Sequence, residues 1–393
     1  MDAVSQCPPV QPRNPSSALI ASWLDGWSAA ANGFAQCMVA AFTGRIDSFD
    51  IPRWLELTSS RRPPSWTSPH EVVFETPIAR LRDFSTARPR GLVPTLVLPP
   101  QAGHSSCIVD YSTQQSQMRA ILGSGLTRAL SLDWIGATSA TATTSIDDYL
   151  EVVDRAVGHC GGRVNLIGDC QGGWLAAIYT ALNPERVNTL TLAGAPIDFH
   201  AGEPVIHEVL RRLSPGGDLR FYEAVVAAGG GVFRGRHMLS GFIAIKPGDE
   251  ISRQMELLVN VRDRAHLDRY QEFEDWFKHT QDIPGTFYLW IVRHLFRDNE
   301  LVKGELRIGG RLVDLAKLTM PLNLLGGASD HITPPGQVFA VADFASTPPE
   351  LVRRHLAPGG HLGLFMGHKA LHDHWPPLLA DVRSHSLAGP AAT

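Results

Sequence analysis

Val164-Asn165-Leu166-Ile167-Gly168-Asp169-Cys170-Gln171-Gly172-Gly173-Trp174 is the stretch whose reading decides the fold. An apolar run ends at a glycine, one residue intervenes, then comes a cysteine, another residue and two more glycines. A helix-like segment over 174–182 follows at once and is closed by Asn183-Pro184. The pattern is strand, sharp turn, helix, with the spacing Gly-x-Cys-x-Gly. A side chain held on so tight a turn takes strained backbone angles, and its neighbours must be small to let strand and helix approach. Cys170 is then either a nucleophile raised on that turn or a buried structural thiol, and the surrounding chain has to decide.

Working outward, short apolar runs alternate with helical ones, as a sheet covered by helices requires. Strands are predicted over 72–75, 79–82, 93–98, 129–133 and 187–192. Ser145 caps a helix over 146–157 that carries Asp147 and Asp148 in its first turn, where the helix dipole favours acids, and Gly161-Gly162 ends it. Most of these strands read as continuous apolar runs, the pattern of a parallel sheet buried on both faces. Over 201–305 the pattern changes: segments such as 205–213, 255–261 and 287–295 are helical and aromatic-rich, which predicts a helical cap insertion. Strands resume over 320–326 and 351–356, with a last helix over 376–383. The expected organisation is an N-terminal helical extension (1–62), an α/β core in two pieces (63–200 and 306–385), the cap (201–305) and a loose tail (386–393). In the extension, residues 1–15 read as loose. Trp23, Trp27, Phe34, Met38 and Phe42 recur at intervals of four and seven and make one apolar stripe on a helix. That stripe either packs on the core or docks on a hydrophobic particle or partner surface.

Composition excludes several classes. A net charge of −4, with arginines and acids spread along 393 residues, leaves no basic stripe for nucleic acid. The five cysteines (Cys7, Cys37, Cys107, Cys160, Cys170) fall at unrelated spacings, so neither a disulfide framework nor a metal site is expected, and no cofactor is called for. The N-terminus has neither the basic start nor the apolar core of a secretory signal. No run reaches the roughly 18 apolar residues of a membrane span. A cytoplasmic protein is expected.

If Cys170 is a nucleophile, an acid should follow a later strand and a histidine the last one. Asp330 stands past the strand 320–326 in Ser329-Asp330-His331-Ile332-Thr333-Pro334-Pro335, and His361 past the strand 351–356 in Gly359-Gly360-His361-Leu362-Gly363. Both loops lie at strand C-termini, where α/β sheets expose reactive side chains. Asp198, after the strand that follows the elbow, competes with Asp330 as the acid. His331 and Asp169 read as supporting residues around the acid and the elbow. His104 either polarises a substrate carbonyl or caps its loop. Cys107 and Cys160 read as inert. Trp276, Phe287, Tyr288 and Trp290 read as core of the cap rather than substrate contacts.

Gly168-x-Cys170-x-Gly172 resembles the nucleophile elbow of the α/β-hydrolases, with sulfur in place of oxygen. Together with Asp330-His331-Ile332 before prolines and Gly360-His361, it resembles the superfamily of polyhydroxyalkanoate synthases and intracellular polyhydroxyalkanoate depolymerases. The resemblance covers roughly residues 90–375 and leaves out the N-terminal helix. It implies an α/β-hydrolase fold and a Cys170-Asp330-His361 triad acting on (R)-3-hydroxyalkanoate esters or hydroxyacyl thioesters, with a polyester granule surface as a further partner. Gln171 after the cysteine, the Pro100-Gln101-Ala102-Gly103-His104 loop, Gly194-Ala195-Pro196-Ile197-Asp198 and Gly360-His361-Leu362-Gly363 are similar to the depolymerases. Asn299-Glu300-Leu301 with Gly304-Glu305-Leu306, and 309–315, are similar to the synthases.

The chemistry is common to both branches. A thiol titrating near 8.5 is mostly protonated at neutral pH, so His361 must take its proton, and Asp330 orients the imidazole. The attacked carbonyl becomes an oxyanion. The backbone N–H of Gln171 and a second from the Gln101–Ala102 segment of the neighbouring loop are placed to receive it. Hydrolysis is the preferred direction, polymer synthesis from a hydroxyacyl-CoA the alternative, and a non-catalytic granule-binding protein a third reading. Acyl chain length and a homodimer stay open.

Overall fold

Eight strands form one sheet in the computed structural model, which describes residues 15–89, 91–202, 212, 214, 217–245 and 247–386. They are β1 (Glu71–Glu75), β2 (Ala79–Asp83), β3 (Thr95–Leu98), β4 (Ala129–Trp134), β5 (Val164–Asp169), β6 (Val187–Ala193), β7 (Leu322–Gly327) and β8 (Val352–Ala357), in the spatial order β1-β2-β4-β3-β5-β6-β7-β8. β1 and β2 run antiparallel at one edge, and β4 through β8 pair in parallel. This is the α/β-hydrolase fold. The four strands β3, β4, β5 and β6, and β7 beside them, are buried at every residue, as a doubly covered parallel sheet requires. β8 departs from the continuous apolar pattern. It is an edge strand, and it exposes Arg353 and Arg354.

Side chains alternate between the two faces. Leu96 and Leu98 of β3 join one core cluster, with α4 (Ile146–His159) and α5 (Gln171–Leu182), while Val97 joins the other, with α3 (Gln117–Gly123) and the C-terminal helix Trp375–Ser386. Ser145 caps α4 and forms a capping box with Asp148. Between β6 and β7 the described chain is mostly helical, including α6 (Arg220–Ala228), α7 (Gly235–Ile245), α8 (Pro247–Val259), α9 (Arg264–Phe277) and α10 (Gly285–Trp290), with two short ribbons, Val232–Phe233 with Ile283–Pro284 and Arg307–Ile308 with Arg311–Leu312. The helix expected over 205–213, apart from residue 212, and the termini at 1–14 and 387–393 lie outside the described residues.

In the N-terminal segment the described part of the apolar stripe does not pack on the core. α1 (Pro15–Phe42) and α2 (Asp50–Ser59) lie against α8. Among the side chains of α1 that are described, the buried ones are Ala30, Gly33, Cys37 and Ala40, not Trp27, Phe34, Met38 and Phe42 of the apolar stripe; the Trp23 side chain lies outside the described residues. A Cβ on Gly33 would stand 3.3 Å from Ser252 Cα, so only a small-residue face lets the two backbones come this close. Trp27, Phe34 and Phe42 are 54%, 60% and 85% exposed instead, with Met38 beside them. Trp54 donates to the Gln254 carbonyl at 3.0 Å, and Arg262 holds Asp47 and Asp50, fixing the pair of helices to α8 and the turn after it. Among the described residues no helix is long and apolar enough to cross a membrane.

Candidate active site

β5 runs straight into Cys170, whose backbone sits at φ 50° and ψ −117°, left-handed space that a residue with a Cβ enters only under constraint. The constraint is close strand–helix contact. A Cβ on Gly172 would lie 1.9 Å from the Leu98 carbonyl oxygen, one on Gly173 2.2 Å from Ala195 Cβ, and one on Gly168 2.5 Å from Gly173 Cα. The Cys170 N–H donates to Ala193 O at 2.9 Å, which ties the turn to β6. Cys170 thereby lines a cavity of about 310 Å³.

His361, in the loop after β8, is buried and lines the same cavity. Its Nδ1 lies 2.7 Å from Asp330 Oδ2. With Nδ1 turned to the acid, Nε2 is the nitrogen left for the thiol. Burial alone would depress the imidazole. The charges of Asp330 and Cys170, with the hydrogen bond to Asp330, outweigh it and raise His361 well above its ordinary value. Asp330 is itself held: Oδ1 accepts the N–H groups of Ile332 at 2.9 Å and Thr333 at 2.8 Å. Cys170, His361 and Asp330 are thus brought together from three separate strand ends.

Asp198 is not the acid beside His361. Its Oδ1 accepts the His200 N–H at 3.0 Å and the Asn299 amide at 2.8 Å, anchoring the chain after β6. Gln171 opens α5, so its N–H has no intrahelical acceptor, and it donates to nothing else among the described residues. The N–H groups of Gln101 and Ala102 likewise meet no protein acceptor there. Ala102 lines the cavity, whereas the Gln101 side chain turns inward and donates to the Tyr149 hydroxyl at 3.0 Å.

His104 is a tether. Its ring stacks on Trp276 and Phe277 at 5.0 and 5.7 Å, with Nε2 2.9 Å from the Phe277 carbonyl oxygen and Nδ1 3.3 Å from that of Ala102. Burial pushes it down to about 4, against the pull of those two carbonyls, so the ring is neutral at pH 7 and joins the loop after β3 to α9. Asp169 is fully buried. One oxygen accepts the Gln117 amide at 3.2 Å and the other has no partner among the described residues. Burial pushes this acid up to about 8, opposed by the Gln117 hydrogen bond and the His361 charge, so it is protonated at neutral pH. His331 lines the cavity on the Asp330 loop. Cys107 and Cys160 are buried, and desolvation raises both to about 12.

The cap aromatics divide. Phe287 stacks on Tyr149 and Tyr288 on Phe233, and Trp290 faces Trp174, all within the core. Trp276 lines the cavity with Phe273 and Phe277, a surface that the sequence reading missed although the three share one face of α9 at i, i+3 and i+4. The ion cluster beside them was missed too: buried Glu274 takes Arg61, Arg253 and Lys278, and Glu250 takes Arg253 and Lys278.

The family of unknown function DUF3141 matches residues 81–370. The chain belongs to it. Curated relatives include the poly(3-hydroxyalkanoate) polymerase subunit PhaC of Haloferax mediterranei, 27% identical over 79% of this chain and 62% of that one. PhaC of Haloarcula marismortui is 28% identical over 68% and 56%, and PhaC of Allochromatium vinosum 26% over 67% and 73%. The chain therefore spans less than two thirds of the length of the two haloarchaeal relatives. The likeness to these polymerase subunits agrees with the resemblance read from the sequence. Solved structures of similar shape include a carboxylesterase of Nitrososphaera gargensis (TM-score 0.47, 17% identity, 80% of this chain and 99% of that one). A thermophilic esterase of Thermogutta terrifontis has TM-score 0.44 and 15% identity, over 80% and 98%.

Proposed function

We propose that this chain is a cysteine-dependent acyl hydrolase of (R)-3-hydroxyalkanoate esters, with Cys170 as nucleophile, His361 as base and acid, and Asp330 orienting the imidazole. The observation that carries the reading is Cys170 held at φ 50° on a strand-to-helix turn and lining one cavity with a histidine that is itself 2.7 Å from a buried aspartate. His361 takes the thiol proton and the sulfur attacks the ester carbonyl. The oxyanion meets the backbone N–H of Gln171 and of the Gln101–Ala102 segment, and the alcohol leaves with the proton from His361. Water, deprotonated by the same imidazole, then cleaves the thioester and releases the hydroxyacid. The helices between β6 and β7 act as the cap over this site. The substrate class rests on the names of the relatives.

Charge on the cavity wall favours hydrolysis of a neutral ester. Among the described lining residues Arg253 is the one arginine or lysine, and it is already paired with Glu250 and Glu274, while Asp249 adds a further acid. A coenzyme A thioester, with its several phosphate charges, gains nothing from such a wall. The second reading, polymer synthesis from hydroxyacyl-CoA, is favoured by the polymerase names of the relatives. The exposed Trp27, Phe34 and Phe42 of α1 support contact with a polyester granule.

The test supplies purified protein with amorphous polyester granules and, separately, with 3-hydroxyacyl-CoA. Soluble hydroxyacid released from granules, and lost in Cys170→Ala, is the expected result. CoA release with polymer growth would replace hydrolysis by synthesis. Silence in both assays with granule binding retained would leave a binding protein.

A further inference from the structure

Asp169 is the last residue of β5, directly before Cys170, and shares the sheet face of Ile167. Ala193, its partner across β5 and β6, belongs with Ile167, Leu325, Leu364 and Phe365 to the apolar cluster on that face. Gln117, which opens α3, is fully buried there too. Its Nε2 donates to Asp169 Oδ1 at 3.2 Å. The second oxygen of each side chain, Asp169 Oδ2 and Gln117 Oε1, has no partner among the described residues. If Asp169 were ionised, two side chains already joined would each be left with an unmet acceptor in a dry place, which is costly. One proton removes the conflict. An O–H on Asp169 Oδ2 donates to Gln117 Oε1, and carboxyl and amide then meet edge to edge with both hydrogen bonds made.

The charge so removed matters at His361. Apart from Cys170, its neighbour in the chain, His361 is the titratable group whose charge bears on Asp169. The ring lies close to this end of the sheet: a Cβ on Gly194, which follows Ala193, would stand 3.3 Å from His361 Cε1. A carboxylate at 169 would favour the imidazolium, as Asp330 already does. The ring would then keep its proton to higher pH and take the thiol proton less readily. We infer that Asp169 and Gln117 form a closed acid–amide pair, with the acid proton on Asp169 Oδ2 directed at Gln117 Oε1, so that Asp330 is left as the one carboxylate acting on His361. Gln117 is a positioning residue, which gives that proton a fixed acceptor. The inference rests on the reading of His361 as the base of Cys170.

The test reads the pair without requiring turnover. Infrared difference spectra of the full chain, parent minus Asp169→Asn, should show at pH 7 the C=O stretch of a protonated carboxyl, fading above about pH 8. Gln117→Leu removes both hydrogen bonds and should move that band to higher frequency. The His361 midpoint is followed by NMR of ¹³C-labelled histidine, its signal assigned by loss in His361→Gln. Gln117→Glu sets two carboxyls in one site, where one pKa is strongly raised and the other group ionises. The His361 midpoint should then rise by about one pH unit, a tenfold change in proton affinity. Adding Asp169→Asn again leaves one acid facing one amide and should return the midpoint to within about 0.3 unit of the parent. A band absent at pH 7, a band that Gln117→Leu does not move, or a raised midpoint that the added Asp169→Asn fails to restore would overturn the pair. The infrared readings stand even if Gln117→Glu does not fold. Ester turnover is scored separately. A closed pair in a protein whose Cys170→Ala variant keeps full ester hydrolysis would sink the nucleophile reading while leaving the pair standing.

Discussion

Asp330→Asn is the sharpest perturbation of the triad, because the surroundings dictate how the new amide must sit. Oδ1 of Asp330 accepts two backbone N–H groups, from Ile332 and Thr333, so the asparagine carbonyl oxygen has to take that place. Its NH2 then faces His361 Nδ1, which in the native site lies 2.7 Å from Oδ2 and carries the proton. Two donors cannot share that contact, so the ring is driven to the tautomer with its proton on Nε2, facing Cys170. A base already protonated on that nitrogen cannot accept the thiol proton. The corresponding change in a serine triad lowers kcat about 10⁴-fold, and a loss of about 10³ to 10⁴, or ~4 to 5.5 kcal/mol of barrier, is expected.

The variant also removes the charge that lifts His361. A group whose folded pKa is raised contributes stability that is fully present below its unfolded value near 6.5 and is lost as pH rises through the folded value. Asp330→Asn should therefore lose more stability at pH 5.5 than at pH 9. The assay is kcat/KM on a 3-hydroxyalkanoate ester from pH 5.5 to 9, with urea midpoints over the same range. Activity within tenfold of the parent, and a stability loss indifferent to pH, would show that Asp330 is not the partner of the base.

The other predictions concern the frame. Asp169 is protonated up to about 8 when folded but ionises near 3.9 when unfolded, so it costs stability that grows between those two pH values and is constant above them. Asp169→Asn should become more stable than the parent across that window, at ~1.4 kcal/mol per pKa unit; equal urea midpoints at pH 4.5 and 8 would refute a buried neutral acid. Gly172→Ala forces a Cβ to within 1.9 Å of the Leu98 carbonyl and should cost about 3 kcal/mol or prevent folding, whereas Gly123→Ala, with open space around it, should stay within about 1 kcal/mol by urea denaturation. Phe34→Ser with Phe42→Ser should leave thermal stability within about 0.5 kcal/mol of the parent and weaken sedimentation with polyester granules, while Gly33→Leu should push α1 off α8 and be seen in the melt. Unchanged granule binding in the double variant would rule out that face.

The elbow was legible because its requirements are local. A strand buried on both faces must be apolar throughout, and the turn into α5 needs glycines wherever Leu98 and Ala195 come against it. The acid and the base were found through order along the chain, since each follows a strand at the same sheet edge. The choice between Asp330 and Asp198 was not local. It was made by which loop reaches His361, and Asp198 is drawn away by Asn299, a residue about a hundred positions distant. His104 has the same lesson. Its two sequence roles were equal until α9 supplied the Phe277 carbonyl and the stacking rings.

By itself, then, the sequence determined the parallel α/β sheet, the place of Cys170 on a strand-to-helix turn and the order of its two candidate partners along the chain, because periodicity and turn chemistry act over a few residues. Tertiary structure alone decided which side of α1 is buried. Hydrophobic periodicity marks an apolar face but not what lies against it. Here close approach to α8 selected Ala30, Gly33, Cys37 and Ala40 and left the larger Phe34 and Phe42 outside. Tertiary structure also decided the cavity, since Phe242, Phe273, Trp276 and Arg253 line one space only after α7, α8 and α9 have folded over the sheet's edge.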